Sequence, residues 1–383
     1  MMKIPYAKVL IGDNERKYIN EVLDSGWLTT AVKTLEFEQK FAQYIGAKYA
    51  CAVNSCTAAL HLAVDALGIG QGDKVFIPSM TFTSTAEVIR YVGADPVFLD
   101  TEYGTNLITS EILEDAIKKN PDVRFLIIVH FGGQSVNLTE IIEICNKNNI
   151  KIIEDAAHAF PTKHKNKFIG QFGLITCFSF YANKTITTGE GGMLVTDDEE
   201  VYKRAKVMRL HGINRDIWDR FTSDKPSWEY DVIDAGFKYN LPDLAAAIGL
   251  GQLERAEEFR TERQKVAEFY YKSLSDIDCI DLPITHVPFE DHSWHLFPIV
   301  LNGKAPINRN KFIQLLSERG IGTSVHYKPL HQMTYYKRKY NLTPDQFPNA
   351  EKTWLGTVSL PIYPFMKLEE LEYISETIHE LLN

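Results

Sequence analysis

Lys184 has the strongest claim to chemistry in this chain. It follows the strand-like run CFSFYAN and precedes TITTGEGG, so a single amine stands between a segment with few polar side chains and the glycine cluster at Gly189, Gly191 and Gly192. Such glycines permit close backbone approach. A surface lysine is ordinarily a solvated charge. One enclosed in this way can have its amine pKa lowered and become a nucleophile toward a carbonyl. Upstream, KIIEDAAHAF ends a buried-type strand in Glu154-Asp155. Ligands of open parallel sheets sit beyond the carboxyl ends of the strands, so Asp155 stands where a functional acid is expected. The same residue could equally cap a short helix starting at Ala156. His158, one turn further on, reads either as a ligand contact or as an internally satisfied, half-buried histidine.

A lysine for an aldehyde and an acid for a ring nitrogen are what pyridoxal phosphate (PLP) chemistry requires. That cofactor also needs a cup for its phosphate. In VNSCTAALHLAVDAL the residues Asn54-Ser55-Cys56-Thr57-Ala58 lie between a strand and a helix. There the free N–H groups of the helix start and the Thr57 hydroxyl can point at an anion. Taken alone, Ser55 or Thr57 as a simple helix cap is the better reading. Beside Lys184, Ser179 and Asp155, the phosphate cup is.

These residues need elements to position them. YACAV, KVFIPS, PVFLD, RFLIIVHF, KIIEDAA and ITCFSFYA are short apolar runs. Helical stretches such as TAALHLAVDAL, STAEVIRYVG and TEIIEICNKN alternate with them, the pattern of parallel strands joined by helices. Ahead of them, residues 14–24 and 34–45 have helical spacing, with Thr34 a candidate cap. A basic helix from about 201 runs into HGINRDIWDR, and the polar stretch to about 231 reads as a loop. AAAIGLGQLERAEEFRTERQKVAEFYYKSL reads as one or two long helices leading to a C-terminal part. That part holds strands at WHLFPIVL and GTSVHY and helices at NRNKFIQLLSERG and LEELEYISETIHELL. The expected fold class is α/β: a large, mainly parallel sheet domain over residues 1–255 and a smaller α+β domain over 256–383, with the first fifteen or so residues packing on the small domain.

Length and composition agree. A chain of 383 residues exceeds what one core usually organises. Its 45% hydrophobic and 24% charged content is that of a globular protein. The net charge of -9, with no block of five or more like charges, argues against nucleic-acid partners. The five cysteines form no C-x-x-C pair and no metal-ligand spacing, so no metal is expected and a reduced compartment fits. No apolar leader follows Met1-Met2-Lys3 and no apolar run is long enough to span a membrane, so the expected location is cytoplasmic.

The whole pattern resembles a known family, the PLP-dependent nucleotide-sugar aminotransferases of the DegT type, which have the aspartate-aminotransferase fold (fold type I). The resemblance is carried in order by SGWLTT, EFEQKFAQYIGAKYA, VNSCTAALHLA, IPSMTFTSTAEVIRYVGADPVFLD, EDAAHAF, FSFYANK, TTGEGGMLVTD, GFKYNLPDLAAAIGLGQL, WHLF and GIGTSVHYKPLH. HGINRDIWDR, GFKYNLPDL and WHLF look most like the branch acting on UDP-linked 4-keto sugars, such as the 4-amino-4-deoxyarabinose aminotransferase. The resemblance implies that Lys184 is the Schiff-base lysine and Asp155 the partner of the pyridine nitrogen. It assigns phosphate contacts to Ser179, Thr57 and the Ala58 amide, with Cys56 beside them, and places Phe82 over the cofactor ring. His158 stands where many members have glutamine. Lys238 and Asn240 match a segment that reaches into the neighbouring subunit's site, which implies a homodimer with composite active sites. Trp27, Thr29, His326 and Tyr327 fall at the expected sugar site. The implied reaction moves an amino group from glutamate, leaving 2-oxoglutarate, to a nucleotide-linked keto sugar.

Two departures lie near the sugar and phosphate sites. Trp27-Leu28-Thr29-Thr30-Ala31-Val32 replaces W-[IL]-[ST]-x-G-P, and Cys56 stands where many members have glycine. Neither removes a group the chemistry needs. The rival readings are a PLP-dependent sugar dehydratase, in which histidine replaces the Schiff-base lysine, and a non-catalytic regulatory protein, which would be expected to have lost Lys184 or Asp155. A nicotinamide enzyme is disfavoured because no G-x-G-x-x-G opens a helix; Gly68, Gly70 and Gly72 precede a strand instead.

Overall fold

The computed structural model describes residues 2–214 and 230–382. Most of HGINRDIWDR and of the polar stretch that follows it therefore lies outside the described residues.

The apolar runs form one seven-stranded sheet. Its strands are β1 (Tyr49–Val53), β2 (Lys74–Pro78), β3 (Asp95–Leu99), β4 (Phe125–Val129), β5 (Lys151–Asp155), β8 (Ile175–Ser179) and β9 (Gly192–Thr196). A small hairpin, β6 (Lys163–His164) and β7 (Lys167–Phe168), precedes β8. The spatial order is β1-β9-β8-β5-β4-β2-β3, and β9 runs antiparallel to both neighbours while the other pairs are parallel. A sheet covered on both faces needs strands that are apolar on both sides. Alternation still assigns the faces: Leu126 and Ile128 join one core with Phe41 and Phe178, whereas Ile127 joins the other with Leu60 and Val64.

Helices α1 (Asp13–Ser25), α2 (Val32–Ile45), α3 (Cys56–Ala66), α4 (Ser84–Tyr91), α5 (Ser110–Lys119), α6 (Leu138–Lys147) and α7 (Glu199–Met208) belong to this body, as does α8 (Asp243–Leu253). α3 is apolar on nearly all sides because it is buried, and it starts at the end of β1 with the Ser55 hydroxyl accepting from the Ala58 amide at 3.1 Å. Thr34 does not cap α2. The helix starts two residues earlier, and Asp243 of α8 caps it from a distance, accepting from the amides of Ala31 (2.7 Å), Lys33 (3.0 Å) and Thr34 (2.9 Å). The sequence offers no local sign of such a tertiary cap.

α9 (Ala256–Leu274) bridges the bodies, with Phe259 in the first core and Val266 and Tyr270 in a third. The third core packs around β10 (Ile280–Asp281), β11 (Phe297–Leu301) and β12 (Thr357–Leu360), with α10 (Arg309–Glu318) and α13 (Leu368–Leu382); α11 (Thr334–Tyr340) and α12 (Pro348–Gly356) pack back on the large sheet body, Tyr336 in the second core and Ala350 in the first. Ile4 joins the third core and is pinned there, its amide donating to Gly320 at 2.8 Å. By contrast, the buried Glu15 of α1 packs on Gly251 of α8, where a Cβ would come within 2.8 Å of the Glu15 amide.

GTSVHY makes no strand. Within it only Ser324 forms a single bridge, to Ser359 of β12, and Ile321 just before it bridges Ile4. The strand expected from WHLF begins only at Phe297. Trp294 is left-handed (φ 50°), and the Ser293 and Leu296 amides donate to Gly133 and Gly132 instead of to a ladder.

Candidate active site

The parallel strands deliver their carboxyl ends to one edge of the sheet, the expected ligand position. Ser55 follows β1, Thr81 and Phe82 follow β2, Asp155 ends β5, Ser179 ends β8, and Lys184 lies five residues beyond. All of them, with His326 and Tyr327 from the C-terminal part, line a cavity of about 460 Å³.

Asp155 is 4% exposed. Its Oδ2 accepts from the Thr85 hydroxyl at 2.8 Å and its Oδ1 from the Ala157 amide at 3.2 Å. Burial raises its pKa despite these bonds and the Lys184 charge. A protonated ring nitrogen would give this desolvated acid the partner that favours its anionic form. Lys184 is partly buried, and desolvation pulls its amine down to about 8, against the opposing pull of Cys56 and Asp155. The amine is thus a better nucleophile at neutral pH than an ordinary lysine.

The start of α3 fits a phosphate. The first N–H groups of a helix have no partner within it. Ser55 takes the Ala58 amide, while the amides of Cys56 and Thr57, whose residues line the cavity, have no partner among the described residues. Gly192 makes this approach possible, since a Cβ there would sit 2.6 Å from the Cys56 amide nitrogen. The Cys56 thiol contacts the Cys177 carbonyl at 3.6 Å, and burial pushes its pKa well above the usual thiol range. The residues present therefore fit PLP at both ends, with Lys184 in the same cavity.

Phe82, 54% exposed, lines the opening and approaches the Tyr327 ring at 5.8 Å. Tyr327 bonds His158 Nε2 at 3.0 Å, while His158 Nδ1 accepts from the Gly132 amide at 3.3 Å. That second bond puts the ring proton on Nε2, and burial keeps the ring neutral. His326 bonds the Ser359 hydroxyl at 2.8 Å, and burial holds its pKa down at about 3.

Other expected residues lie elsewhere in this chain. Ala58, Trp27, Thr29, Lys238 and Asn240 do not line the cavity. Asn240 donates to the Thr30 hydroxyl at 2.7 Å and pairs with Val53 at the end of β1, and Lys238 is exposed beside it. Sequence reasoning missed Thr85, which anchors Asp155, and the lining residues Tyr181, Asn183 and Glu190. The last three sit in the quoted segments flanking Lys184, so their signal was proximity. Thr85, on a different helix, offered none. Among the described residues no cluster of His, Cys, Asp and Glu could hold a metal, and no helix is long and apolar enough to cross a membrane.

A lysine, a buried carboxylate and an open helix start, all at the carboxyl edge of a mainly parallel sheet, define the class of fold-type I PLP enzymes. Comparison with known proteins narrows it. Residues 9–379 match the DegT/DnrJ/EryC1/StrS aminotransferase family. The spore coat polysaccharide biosynthesis protein SpsC of Bacillus subtilis is 41% identical over 381 residues, 99% of this chain and 97% of that protein. Helicobacter pylori PseC, an aminotransferase involved in the biosynthesis of pseudoaminic acid, superposes with a TM-score of 0.91 at 28% identity, covering 100% of this chain and 99% of that one. Spr1654 of Streptococcus pneumoniae, a proposed sugar aminotransferase, has a PMP-form that matches at a TM-score of 0.90 and 32% identity, over 99% of this chain and 98% of that one, and it also has a PLP-form. The chain belongs to the DegT/DnrJ/EryC1/StrS aminotransferase family and is a PLP-dependent aminotransferase.

Proposed function

We propose that this aminotransferase moves an amino group from glutamate to a nucleotide-linked 4-keto sugar, giving an amino sugar for a surface polysaccharide or related glycan. The observation that carries this reading is the likeness, over nearly all of both chains, to a protein of spore coat polysaccharide biosynthesis. The likeness to PseC supports it. Bound PLP supplies a carbonyl for amine exchange and a ring that withdraws electrons.

The chain's own groups do the rest. The Cys56 and Thr57 amides, with the Ser179 hydroxyl, bind the phosphate at the helix start. Asp155, oriented by Thr85, holds the ring N–H and keeps positive charge on that nitrogen. Lys184 Nζ binds the cofactor and, once released, moves a proton from the donor's Cα; the same amine serves the second half-reaction in reverse. Phe82, Tyr327 and His158 enclose the site and exclude water.

We further propose a cytoplasmic homodimer with composite sites. Its support is that Lys238 and Asn240 do not line the cavity of their own chain and that Lys238 is exposed. The apolar side chains of Leu28, Val32, Val232 and Ile233 are exposed, as an interface between copies requires. Mixing Lys184→Ala with a double substitution at Lys238 and Asn240, after proving subunit exchange, should restore activity; no recovery would mean that the segment serves its own subunit. For the substrate, mass spectrometry of products from UDP-, dTDP- and GDP-linked 3-keto and 4-keto sugars with glutamate should show a gain of one amino group on a 4-keto sugar. Amination of a 3-keto sugar alone would overturn the assignment.

A further inference from the structure

His295 packs against Lys184 and His158 without lining the cavity, and it has none of the roles assigned above. It is 4% exposed, its Nε2 stands 3.4 Å from Lys184 Nζ, and its ring centroid is 4.5 Å from that of His158. Among the described residues its Nδ1 has no hydrogen-bond partner. Buried polar atoms are nearly always paired, so an orphaned one calls for a reason.

The ring is held in place from several sides. The Ser293 and Leu296 amides donate to Gly133 and Gly132 at 3.0 Å each, and Arg263 donates to the Trp294 carbonyl at 3.3 Å. The Ser293 hydroxyl donates to the His158 carbonyl at 2.7 Å. Gly133 (φ +116°) has no room for a side chain, since a Cβ would stand 2.4 Å from Ser293 Oγ and 3.0 Å from the His295 amide. Trp294, the residue just before the histidine, occupies the left-handed region at φ 50°, which bulky residues rarely adopt. These constraints fix the backbone before and after His295 in the chain, while its ring packs on His158 with Nε2 toward Lys184.

We propose that His295 is a positioning residue whose Nε2 accepts a hydrogen bond from Lys184 whenever that amine is free, holding Nζ where it carries its proton. The inference rests on the PLP-dependent reading of Lys184. Burial keeps the imidazole neutral, and its one proton is assigned to the unpartnered Nδ1, the tautomer in which Nε2 presents a lone pair to the amine. A carboxylate in this place would bind the ammonium too firmly for it to give up a proton. A neutral acceptor orients it at a smaller cost. The other groups facing the amine are Asp155 and Cys56, which favour its charged form, and Arg263, which opposes it. His158 and His326 also feel its charge.

The test uses the full chain loaded with pyridoxamine 5′-phosphate, in which the Lys184 amine is free and no amino donor or sugar is needed. Trace acetylation with acetic anhydride across a pH series, read by peptide mass spectrometry, gives the titration midpoint of Lys184. Losing an acceptor for the ammonium lowers that midpoint. His295→Leu should shift it down by about half a unit to one unit, and His295→Gln, which keeps an acceptor, should restore it. In turnover, kcat should fall in His295→Leu more than KM changes. A His295→Leu midpoint equal to the wild-type value, with the cofactor loaded, overturns the proposal. If that variant does not load, His295→Ala is titrated with and without added imidazole, and a midpoint insensitive to imidazole overturns it equally. Failure of the wild-type chain itself to take up pyridoxamine 5′-phosphate would count against the cofactor reading instead.

Discussion

Replacing Gly192 by alanine tests the phosphate cup through its backbone. Gly192 opens β9, opposite Val53 on one side and Ser179 on the other. A Cβ there would meet the Ser55 carbonyl carbon at 2.5 Å and the Ser55 oxygen and Cys56 nitrogen at 2.6 Å. All three are backbone atoms, so no flexible side chain can swing aside. Relief comes either from displacing β9, which strains both of its ladders, or from displacing the start of α3, which moves the Cys56 and Thr57 amides. Overpacking of this kind costs about 1–3 kcal/mol. Borne by the sheet, it lowers the melting temperature by a few degrees. Borne by the cup, it weakens PLP binding about 5- to 150-fold. Absorbance titration of the apoprotein with PLP, together with thermal melts, measures both parts. Gly26→Ala is the control: Gly26 has φ +70° and nothing within 4 Å of a built Cβ, so alanine there costs about 1 kcal/mol of stability and leaves PLP affinity alone. Wild-type affinity together with a wild-type melting temperature in Gly192→Ala would refute the reasoning.

Borohydride reduction and peptide mapping should find the pyridoxyl label on Lys184, and a label elsewhere sinks that assignment; Lys184→Ala should keep PLP through its phosphate yet lose turnover by about 10³-fold or more. Asp155→Asn should cut kcat by about 100-fold or more while PLP affinity stays within about tenfold, because the amide cannot hold the pyridinium by charge; a near-normal kcat would remove Asp155 from the mechanism. Uptake of PLP by the apoprotein requires the neutral amine of Lys184, whose pKa is lowered to about 8. The uptake rate should therefore climb about tenfold per pH unit below that value and level off above it, and a rate still climbing toward the range of an ordinary lysine would contradict the enclosure of the amine.

What could be read in the sequence was local in the chain. The strands of the large sheet announce themselves as apolar runs, and Lys184, Asp155, Ser179 and Thr57 each sit in a short segment whose neighbours supply the argument. What could not be read depends on residues far apart. Thr85 meets Asp155 across 70 positions, and Asp243 caps a helix more than 200 positions away. His295 was in view within WHLF, yet a histidine beside a tryptophan gives no sign that the preceding residue is left-handed and that the ring turns toward Lys184. The β6–β7 hairpin was missed because its turn residues, Lys165 and Asn166, both have positive φ without the usual glycine signal.

The strand order sets a length. The helix start follows β1 but passes close against Gly192 of β9, and its Cys56 thiol reaches the carbonyl of Cys177, the β8 residue paired with Asp155 of β5, so the strand under the cup's edge and the strand of the acid stand one spacing apart, about 5 Å. Backbone hydrogen bonding fixes that interval, and side-chain substitution within the strands cannot tune it. The sheet edge therefore works as a ruler. A molecule must carry an anionic arm at one end and a basic ring nitrogen at the other to reach both marks, and pyridoxal without its phosphate reaches only one. Because the ruler is made of backbone, substitutions in the loops around it leave undisturbed the distance over which the cofactor is held.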